Sequence, residues 1–306
     1  MHNIERLEEA LTSKKWKFEF LEQSACPEDV ASFFKSYLAH LSSDSFLERL
    51  KLGGFYINGI STYDNVKLNV PCKVEYYEPK FDLADIQSVY PAFSKDWIVY
   101  EDEYVLVVFK PKRLPCLPTK EQKLFNLKNY IEGYCSESVH MPSRLDTSTQ
   151  GLVILSKHAM MHNYLQQAFE KRIITKRYLL ASSEKAAWKF KALRALIGKN
   201  KSHPILRKIT DSDGKESFTI FTSLADQDGT YYYLARPLTG RTHQIRVHAS
   251  HLGIPILGDN FYGGKRAECL HLMSYQLALW HPYKKFYLDL TVPRHLLSEW
   301  ALPAVS

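Results

Sequence analysis

The feature that most limits the fold is the pattern after residue 140, where short apolar runs alternate with amphipathic segments. The run GLVILS at 151–156 is apolar throughout, as expected of a buried strand, and residues 158–170 place Met161, Leu165 and Phe169 at helical spacing. Residues 242–253 predict a second helix, which Gly253 ends. Further strands are predicted at 176–182, 217–224, 230–238 and 284–292. Because strands and helices do not alternate strictly, the pattern indicates an α+β fold.

The earlier part of the chain predicts a separate, smaller domain. Weak apolar periodicity over residues 1–42 predicts helices, and residues 45–54 predict a short helix that Gly53-Gly54 stops. Asn58-Gly59 is typical of a tight hairpin turn. Strands are predicted on both sides of that turn and at 66–70, 72–78 and 105–109, with a linker at 79–97. We therefore expect two domains, residues 1–95 and residues 96–306.

The charge of the chain is distributed unevenly. The 306 residues carry a formal charge of +7, with 40 Lys+Arg against 33 Asp+Glu. Residues 1–95 have a net charge of −3 and residues 96–306 a net charge of +10, and 12 basic residues lie between Lys171 and Lys208 beside one acid, Glu184. Such a run is either a solvated face or a surface that binds a polyanion such as RNA.

Several classes of protein are not supported. No apolar run approaches the roughly 20 residues of a membrane span, and the first residues lack the apolar segment of a secretory signal. The five cysteines form no CxxC pair, which favours a reducing cytoplasm over a disulfide framework or a zinc site. No phosphate-binding loop, dinucleotide fingerprint or nucleophile elbow occurs. The spacing of His243, His248 and His251 is not that of a metal site, so neither a metal nor a cofactor is expected.

Two blocks carry residues suited to chemistry. The first, SRLDTSTQGL at 143–152, places Arg144 and Asp146 just before a predicted strand. Taken alone, Asp146 is more simply interpreted as a residue that caps a turn before the strand. The second block, LTGRTHQIRVH at 238–248, gathers Arg241, His243 and Arg246 at the start of a predicted helix. Since cations are disfavoured there by the helix dipole, they indicate an anionic partner, although an ordinary basic helix face fits as well.

Together the two blocks resemble the RluA-type family of RNA pseudouridine synthases. The pattern RLDxxTxGL matches from Arg144 to Leu152, and TGRTHQIRVH matches without interruption from Thr239 to His248. GxPIxGDxxYGG follows from Gly253 to Gly264, and residues 102–111, 176–182 and 269–282 are similar to further family segments. The likeness runs over about residues 98–294. The chain departs from the family at Ser143, where a histidine is usual, and at Gln150, where a serine is usual.

The resemblance implies a fold and a reaction. The fold is a pseudouridine synthase domain with a mixed, mainly antiparallel central sheet, and residues 46–78 resemble an S-four-type RNA-binding module preceding it. In the reaction, uracil leaves C1′ of a uridine, turns and rejoins through C5. This isomerisation requires no cofactor or metal, and a uridine within a stem must be flipped out. The expected substrate is ribosomal or transfer RNA, and the protein is expected to act as a cytoplasmic monomer.

The resemblance also assigns residues. Asp146 is the expected catalytic carboxylate, and Arg246 is the expected cation that lowers its pKa and fixes its rotamer. Tyr178 is expected to stack on the uracil, and Arg144 to fill the gap that the flipped base leaves. The expected RNA-binding residues are Arg144, Thr149, Lys176, Arg241 and His243. Two alternatives remain: a non-catalytic RNA-binding protein derived from this fold, and a hydrolase with Asp146 as nucleophile.

Overall fold

The computed structural model describes residues 15–38, 46–51, 54–77, 90–118, 125–200, 206–297 and 300. The strands are β1 Lys15–Phe20, β2 Phe55–Ile57, β3 Ile60–Thr62, β4 Cys72–Tyr77, β5 Ile98–Glu101, β6 Val105–Lys110, β7 Gln150–Ser156, β8 Thr175–Ser182, β9 Phe190–Lys199, β10 Arg207–Thr210, β11 Lys215–Gln227, β12 Thr230–Pro237, β13 Leu272–His281 and β14 Phe286–Thr291. The helices are α1 Val30–Tyr37, α2 Phe46–Lys51, α3 Leu127–Cys135, α4 Ala159–Glu170 and α5 Gln244–His251, with 3-10 turns at Lys95–Trp97 and Arg294–Leu296.

Contacts between residues divide the chain into two compact units. The first comprises Met1–Lys95, Arg113–Met141 and Leu155–His158, and the second comprises Asp96–Lys112, Pro142–Ile154 and Ala159–Ser306. Two segments beyond residue 95 thus belong to the first unit. A two-domain organisation of residues 1–95 and 96–306 stays a prediction.

The first unit contains a four-stranded antiparallel sheet in the order β1-β4-β2-β3. Its core is rich in aromatic rings: Phe34 of α1 packs against Phe55 and Tyr76 of the sheet, and Phe33 packs against Phe18 and Phe20 of β1. Side chains of this size bury a large apolar area each, which suits a small sheet with short helices. The likeness of residues 46–78 to an S-four-type module stays a prediction.

The helix predicted through residues 15–20 is wrong. This segment is strand β1, which pairs with β4 so that Trp16, Phe18 and Phe20 lie opposite Tyr76, Val74 and Cys72. The sequence KWKFEF alternates polar and apolar residues, and a period of two places every aromatic ring on one face of a sheet. Helix α1 confirms the later part of the same prediction, whereas residues 1–14 and 39–42 lie outside the described residues.

Of the other predictions for this unit, one strand is wrong. Residues 66–70 form no strand and make only an isolated antiparallel bridge, between Lys67 and Asp29. On either side of it, the Val30 N–H donates to the Val66 carbonyl and the Leu68 N–H donates to the Glu28 carbonyl. The helix α2, the strand β4 and the hairpin are confirmed, and Asn58 and Gly59 both have the positive φ of a tight turn. Residues 79–89 of the predicted linker lie outside the described residues.

The second unit is built on a ten-stranded sheet in the order β10-β9-β11-β12-β8-β13-β7-β6-β5, with β14 paired to β13. The pairs from β10 through to β13, the pair β13–β14 and the pair β5–β6 are antiparallel, whereas β13 and β7 are parallel. This mixed, mainly antiparallel sheet confirms the predicted α+β class. All strands predicted after residue 100 are present.

The two predicted helices of this part are also confirmed, as α4 and α5, and Gly253 follows α5 with a φ of +73°. The sequence patterns missed β5, β9, β10, β13 and α3. Among the described residues, no helix is long and apolar enough to cross a membrane.

Candidate active site

One cleft in the second unit holds all eight predicted site residues. Its volume is about 580 Å³, within the range of roughly 300–1,000 Å³ that is typical of small-ligand pockets. Its walls are the loop before β7, the beginning of β8 and the segment from Pro237 to Arg246. The predicted residues that line it are Arg144, Asp146, Thr149, Lys176, Tyr178, Arg241, His243 and Arg246. The fold therefore brings the two motif blocks to one place.

Asp146 lies in a tight loop whose backbone is held from two sides. The N–H of Thr149 donates to the Asp146 carbonyl at 3.0 Å. Lys110, which is fully buried, donates its ammonium to the carbonyls of Thr147 at 3.1 Å and Pro111 at 2.9 Å. The Asp146 side chain, in contrast, is 40% exposed. The loop is thus fixed while its carboxylate stays open to the cleft.

Gly151 explains how the Asp146 loop can lie against strand β13. Its φ is +114°, and a Cβ atom there would overlap the backbone of Ser274, with which Gly151 is in register. Glycine is the residue that combines this conformation with so close an approach. The glycine of the first motif therefore serves the close pairing of β7 with β13, and that pairing sets where the Asp146 loop ends.

The side chain of Gln244 fastens the second motif to the sheet. Its oxygen accepts hydrogen bonds from Thr239 Oγ1 at 2.7 Å and from the N–H of Arg241 at 3.0 Å. Its amide nitrogen donates to the carbonyl of Phe218 at 3.0 Å and to Thr219 Oγ1 at 2.9 Å. All of its hydrogen-bonding capacity is therefore used to hold the turn before α5.

His248 is part of the same buried scaffold. It is fully buried, with Nε2 at 2.8 Å from Ser217 Oγ and Nδ1 at 2.9 Å from Thr219 Oγ1. Burial and, to a lesser extent, the nearby His251 together lower its pKa to about 4. Because Ser217 donates to the Ala195 carbonyl, it accepts from Nε2, and His248 is a neutral structural group rather than a group facing the cleft.

Arg246 does not hold Asp146 as expected. Its Nε and Nη2 atoms donate to the two carboxylate oxygens of Asp259, both at 2.7 Å, and both side chains are almost completely buried. Among the described residues, no ion pair within 4 Å joins Arg246 to Asp146. The expected direct pairing is therefore corrected. Gly258, with a φ of +81°, lets the chain pass close to the backbone of Cys269. The next residue, Asp259, is thereby placed beside Arg246 of α5.

Among the described residues, His243 is the titratable side chain that lies within 4 Å of the Asp146 carboxylate. Its Nε2 lies 3.8 Å from Asp146 Oδ2, and its Nδ1 lies 2.8 Å from the hydroxyl of Tyr262. Its side chain is only 8% exposed. Burial, followed by the positive charge of Arg246, lowers the pKa of His243 below its usual value. The ring is therefore neutral near pH 7 and lies in the cleft wall.

The remaining predicted residues lie around the cleft. Tyr178 is 9% exposed on β8. Lys176 donates to Ser143 Oγ at 2.6 Å and stands 4.4 Å from the centre of the Phe169 ring. Thr149 is buried, which leaves its side chain little surface for RNA. Arg241 Nε donates to the Glu216 carbonyl at 2.9 Å, and Arg144 is exposed.

Three residues of the site were missed by the sequence analysis: Lys110, Asp259 and Tyr262. A signal existed for the last two, since both are fixed letters of the GxPIxGDxxYGG match, and Lys110 closes the similar segment 102–111. In the part of the chain that the structure describes, no group of three His, Cys, Asp or Glu residues could hold a metal ion. The expectation that neither a metal nor a cofactor is needed stays a prediction.

Comparisons with known proteins agree with this geometry. Residues 104–251 match the family described as RNA pseudouridylate synthase. The chain is 34% identical over 194 residues to a Bacillus subtilis protein named uncharacterized RNA pseudouridine synthase YjbO, covering 60% of this chain and 68% of the relative. It is 31% identical over 207 residues to the dual-specificity RNA pseudouridine synthase RluA of Vibrio parahaemolyticus, covering 64% and 82%.

A relative named for ribosomal RNA and a solved structure extend the agreement. Ribosomal large subunit pseudouridine synthase C of Rickettsia felis is 30% identical over 217 residues, covering 68% of each chain. The human RNA pseudouridylate synthase domain containing 1 is similar with a TM-score of 0.55 and 26% identity, covering 64% of this chain and 82% of that one. A shared fold, an open aspartate in the matched motif and these relatives lead to one assignment: the chain belongs to the RluA-type family of RNA pseudouridine synthases, which are RNA isomerases.

Proposed function

We propose that this protein converts uridine to pseudouridine in a structured ribosomal or transfer RNA, with Asp146 as the catalytic carboxylate. The observation that carries the proposal is the open carboxylate of Asp146 in a cleft of nucleoside size, on a loop that Lys110 holds rigid. A preformed position of this kind removes the cost of orienting a reacting group. The N1–C1′ bond breaks, the C5–C1′ bond forms, and the proton of C5 is lost while N1 gains one.

The cleft supplies a place for a flipped base. Because a stacked uridine cannot reach a carboxylate in a protein cleft, the base leaves the stem at a cost of a few kcal/mol. Arg144 is exposed two residues before Asp146, so it can occupy the space that the base vacates. Tyr178 lines the same cleft from strand β8 and offers the uracil a ring to stack on.

The positive charge of the cleft wall favours an RNA substrate. Arg172, Lys176 and Arg241 line the cleft, and they belong to or follow the basic part of the sequence. Phosphate contacts of this kind position an RNA without reading its sequence. Arg246, fixed by Asp259, interacts with Asp146 through its charge rather than through a hydrogen bond. A relative named for the ribosomal large subunit favours ribosomal RNA, and a relative named for dual specificity fits more than one RNA substrate.

The test of the reaction is tritium release from RNA labelled at C5 of uridine. Asp146→Asn keeps the size of the side chain and removes the negative charge, so we expect turnover to be abolished while RNA binding stays within a few-fold. Asp228→Asn is the matched control, because Asp228 is exposed at the β11–β12 turn and its positive φ suits Asn equally well. Turnover by Asp146→Asn would refute the assignment, and an inactive native protein that binds RNA would favour the non-catalytic alternative.

A second experiment identifies the substrate. Pseudouridines are mapped by primer extension after carbodiimide treatment, in cells with and without the protein and with Asp146→Asn in its place. We expect one or a few sites in ribosomal or transfer RNA to disappear in the last two cases. Sites confined to another RNA class would contradict the proposed substrate. The same cells, after fractionation, test the proposed cytoplasmic location, and sedimentation of the purified protein tests the proposed monomer.

A further inference from the structure

We propose that His243 is a positioning residue that directs an Nε2–H donor at the carboxylate of Asp146, and that Tyr262 sets the tautomer of the imidazole that makes this possible. The inference rests on the proposed role of Asp146. It gives His243 a task inside the cleft wall, in place of the RNA contact that the sequence suggested.

The tautomer follows from the hydrogen bonds of Tyr262. The backbone N–H of Arg207 donates to the Tyr262 hydroxyl oxygen at 3.0 Å, and the only other polar atom bonded to this hydroxyl among the described residues is His243 Nδ1 at 2.8 Å. Donation to Nδ1 gives the phenolic hydrogen a partner, whereas a hydroxyl that accepted from both nitrogens would leave that hydrogen without one among the described residues; Nδ1 is therefore assigned as the unprotonated acceptor. A neutral imidazole with a bare Nδ1 carries its hydrogen on Nε2.

The Nε2–H points at the carboxylate that the reaction uses. Nε2 lies 3.8 Å from Asp146 Oδ2. A charge-assisted hydrogen bond is about 2.7–2.9 Å long, and a small rotation of the Asp146 side chain would close the difference. Hydrogen bonds of catalytic groups are often long before substrate binds and tighten in the complex. A donor on this side restricts the rotation of the carboxylate, so that its other oxygen faces the cleft.

The backbone at His243 supports a specialised role. His243 occupies the N-cap position of α5 with φ +57° and ψ +19°, and its side chain makes no capping hydrogen bond. A non-glycine residue in this region is strained, and Ser, Thr, Asp or Asn is the usual cap. A strained residue that forgoes its local hydrogen bond is typical of a functional site, where other contacts over-determine its position.

The surroundings of His243 keep its imidazole neutral. A neutral imidazole can donate a hydrogen bond to Asp146 but does not form an ion pair with it. Arg246 stands 5.0 Å from the centre of the Tyr262 ring, with its charge directed to Asp259. The His243 ring meets Tyr262 edge to face, with centroids 5.6 Å apart. A protonated imidazole would instead pair with Asp146 and reduce its reactivity. Burial of the ring beside Arg246 opposes that protonation.

Kinetic variants test the role of the donor. We expect His243→Ala to lower kcat for tritium release by about ten- to a hundred-fold, the range for a lost hydrogen bond to a charged group, with KM for RNA within about two-fold. His243→Gln, whose amide N–H reaches the position of Nε2, is expected to recover kcat to within about five-fold of the native value. Tyr262→Phe keeps the ring but frees the tautomer, and we expect a loss of about three- to ten-fold.

His251→Ala is the matched control, since His251 is exposed on the same helix and outside the cleft. An additional measurement does not depend on turnover: ¹⁵N NMR of the native protein should show a bare Nδ1 and a protonated Nε2 for His243. Full activity of His243→Ala, equal damage by His243→Ala and His243→Gln, or a protonated Nδ1 would each overturn the inference. If the native protein releases no tritium, the proposed function fails separately, while the NMR result still decides the tautomer.

Discussion

The two sides of the cleft treat their polar groups in opposite ways. On the α5 side, Gln244, Arg246, His248 and Asp259 are buried, and each meets its partners at ordinary hydrogen-bonding distances. On the loop side, Asp146 is 40% exposed, and the neutral imidazole of His243 lies 3.8 Å from its carboxylate. Paired buried groups make a wall rigid, whereas an open carboxylate keeps its charge available. The motif at 239–248, which is richest in polar side chains, is thus largely structural, whereas the motif at 144–152 carries the exposed carboxylate of Asp146.

The largest effect on stability is expected when the α5 side loses its buried anion. Asp259→Ala leaves the Arg246 guanidinium buried without a partner, which should lower the free energy of unfolding by about 3–5 kcal/mol. Urea unfolding measures this loss. If the double variant Arg246→Met/Asp259→Leu regains part of the stability, the cost belongs to the unpaired charge rather than to lost volume.

An exposed ion pair provides the control for Asp259→Ala. Arg194 and Glu216 are 2.9 Å apart with side chains 71% and 67% exposed. Glu216→Gln should therefore cost less than about 1 kcal/mol. A loss as small for Asp259→Ala would mean that the buried pair does not brace the wall.

The next effect is a dependence of stability on pH that comes from His248. Its pKa is about 4 in the folded protein, against 6.5 for an unperturbed histidine, so between these values the unfolded chain binds a proton that the native protein does not. Stability is therefore lost as pH falls from 6.5 towards 4, by about 3 kcal/mol in total. Urea unfolding at pH 7, 5.5 and 4.5 gives the free energy of unfolding at each pH, and this free energy should change less with pH in His248→Gln than in the native protein. An equal change in the two proteins would contradict a neutral, buried imidazole.

The smallest effect is expected on the loop side. Ser143→Ala removes the hydrogen bond from Lys176, which keeps its contact with the Phe169 ring. The free energy of unfolding should fall by no more than about 1 kcal/mol. The readout is again the midpoint in urea, with Asp228→Asn for comparison. A loss comparable to that of Asp259→Ala would show that both sides of the cleft are structural.

The sequence predicted the elements whose patterns are local and the site residues that share a motif. The apolar run at 151–156 and the spacing of Met161 and Leu165 both led to correct elements. At β1 a weak helical periodicity was preferred to the strict alternation of KWKFEF, and the strand shows that pairing with β4 decides the outcome. Strand β9, with exposed residues on both faces for much of its length, lacks the apolar signal that would have revealed it.

The pairings within the site could not be predicted in the same way. Arg246 and Asp146 are neighbours in the cleft, but which carboxylate receives the guanidinium depends on the path of residues 253–259, which tight backbone contacts at Gly258 determine. Lys110 reaches the Asp146 loop only because β6 and β7 are adjacent in the sheet. Such partners come from tertiary structure, to which a single sequence gives no direct access.

The position of β13 bears on when the enzyme becomes active during synthesis. This strand lies between β8, which carries Tyr178, and β7, which follows Asp146, although it is made long after both. Until residues 272–281 have left the ribosome, the two halves of the cleft have no strand to join them. A chain that ends at residue 270 lacks this strand and should therefore release no tritium.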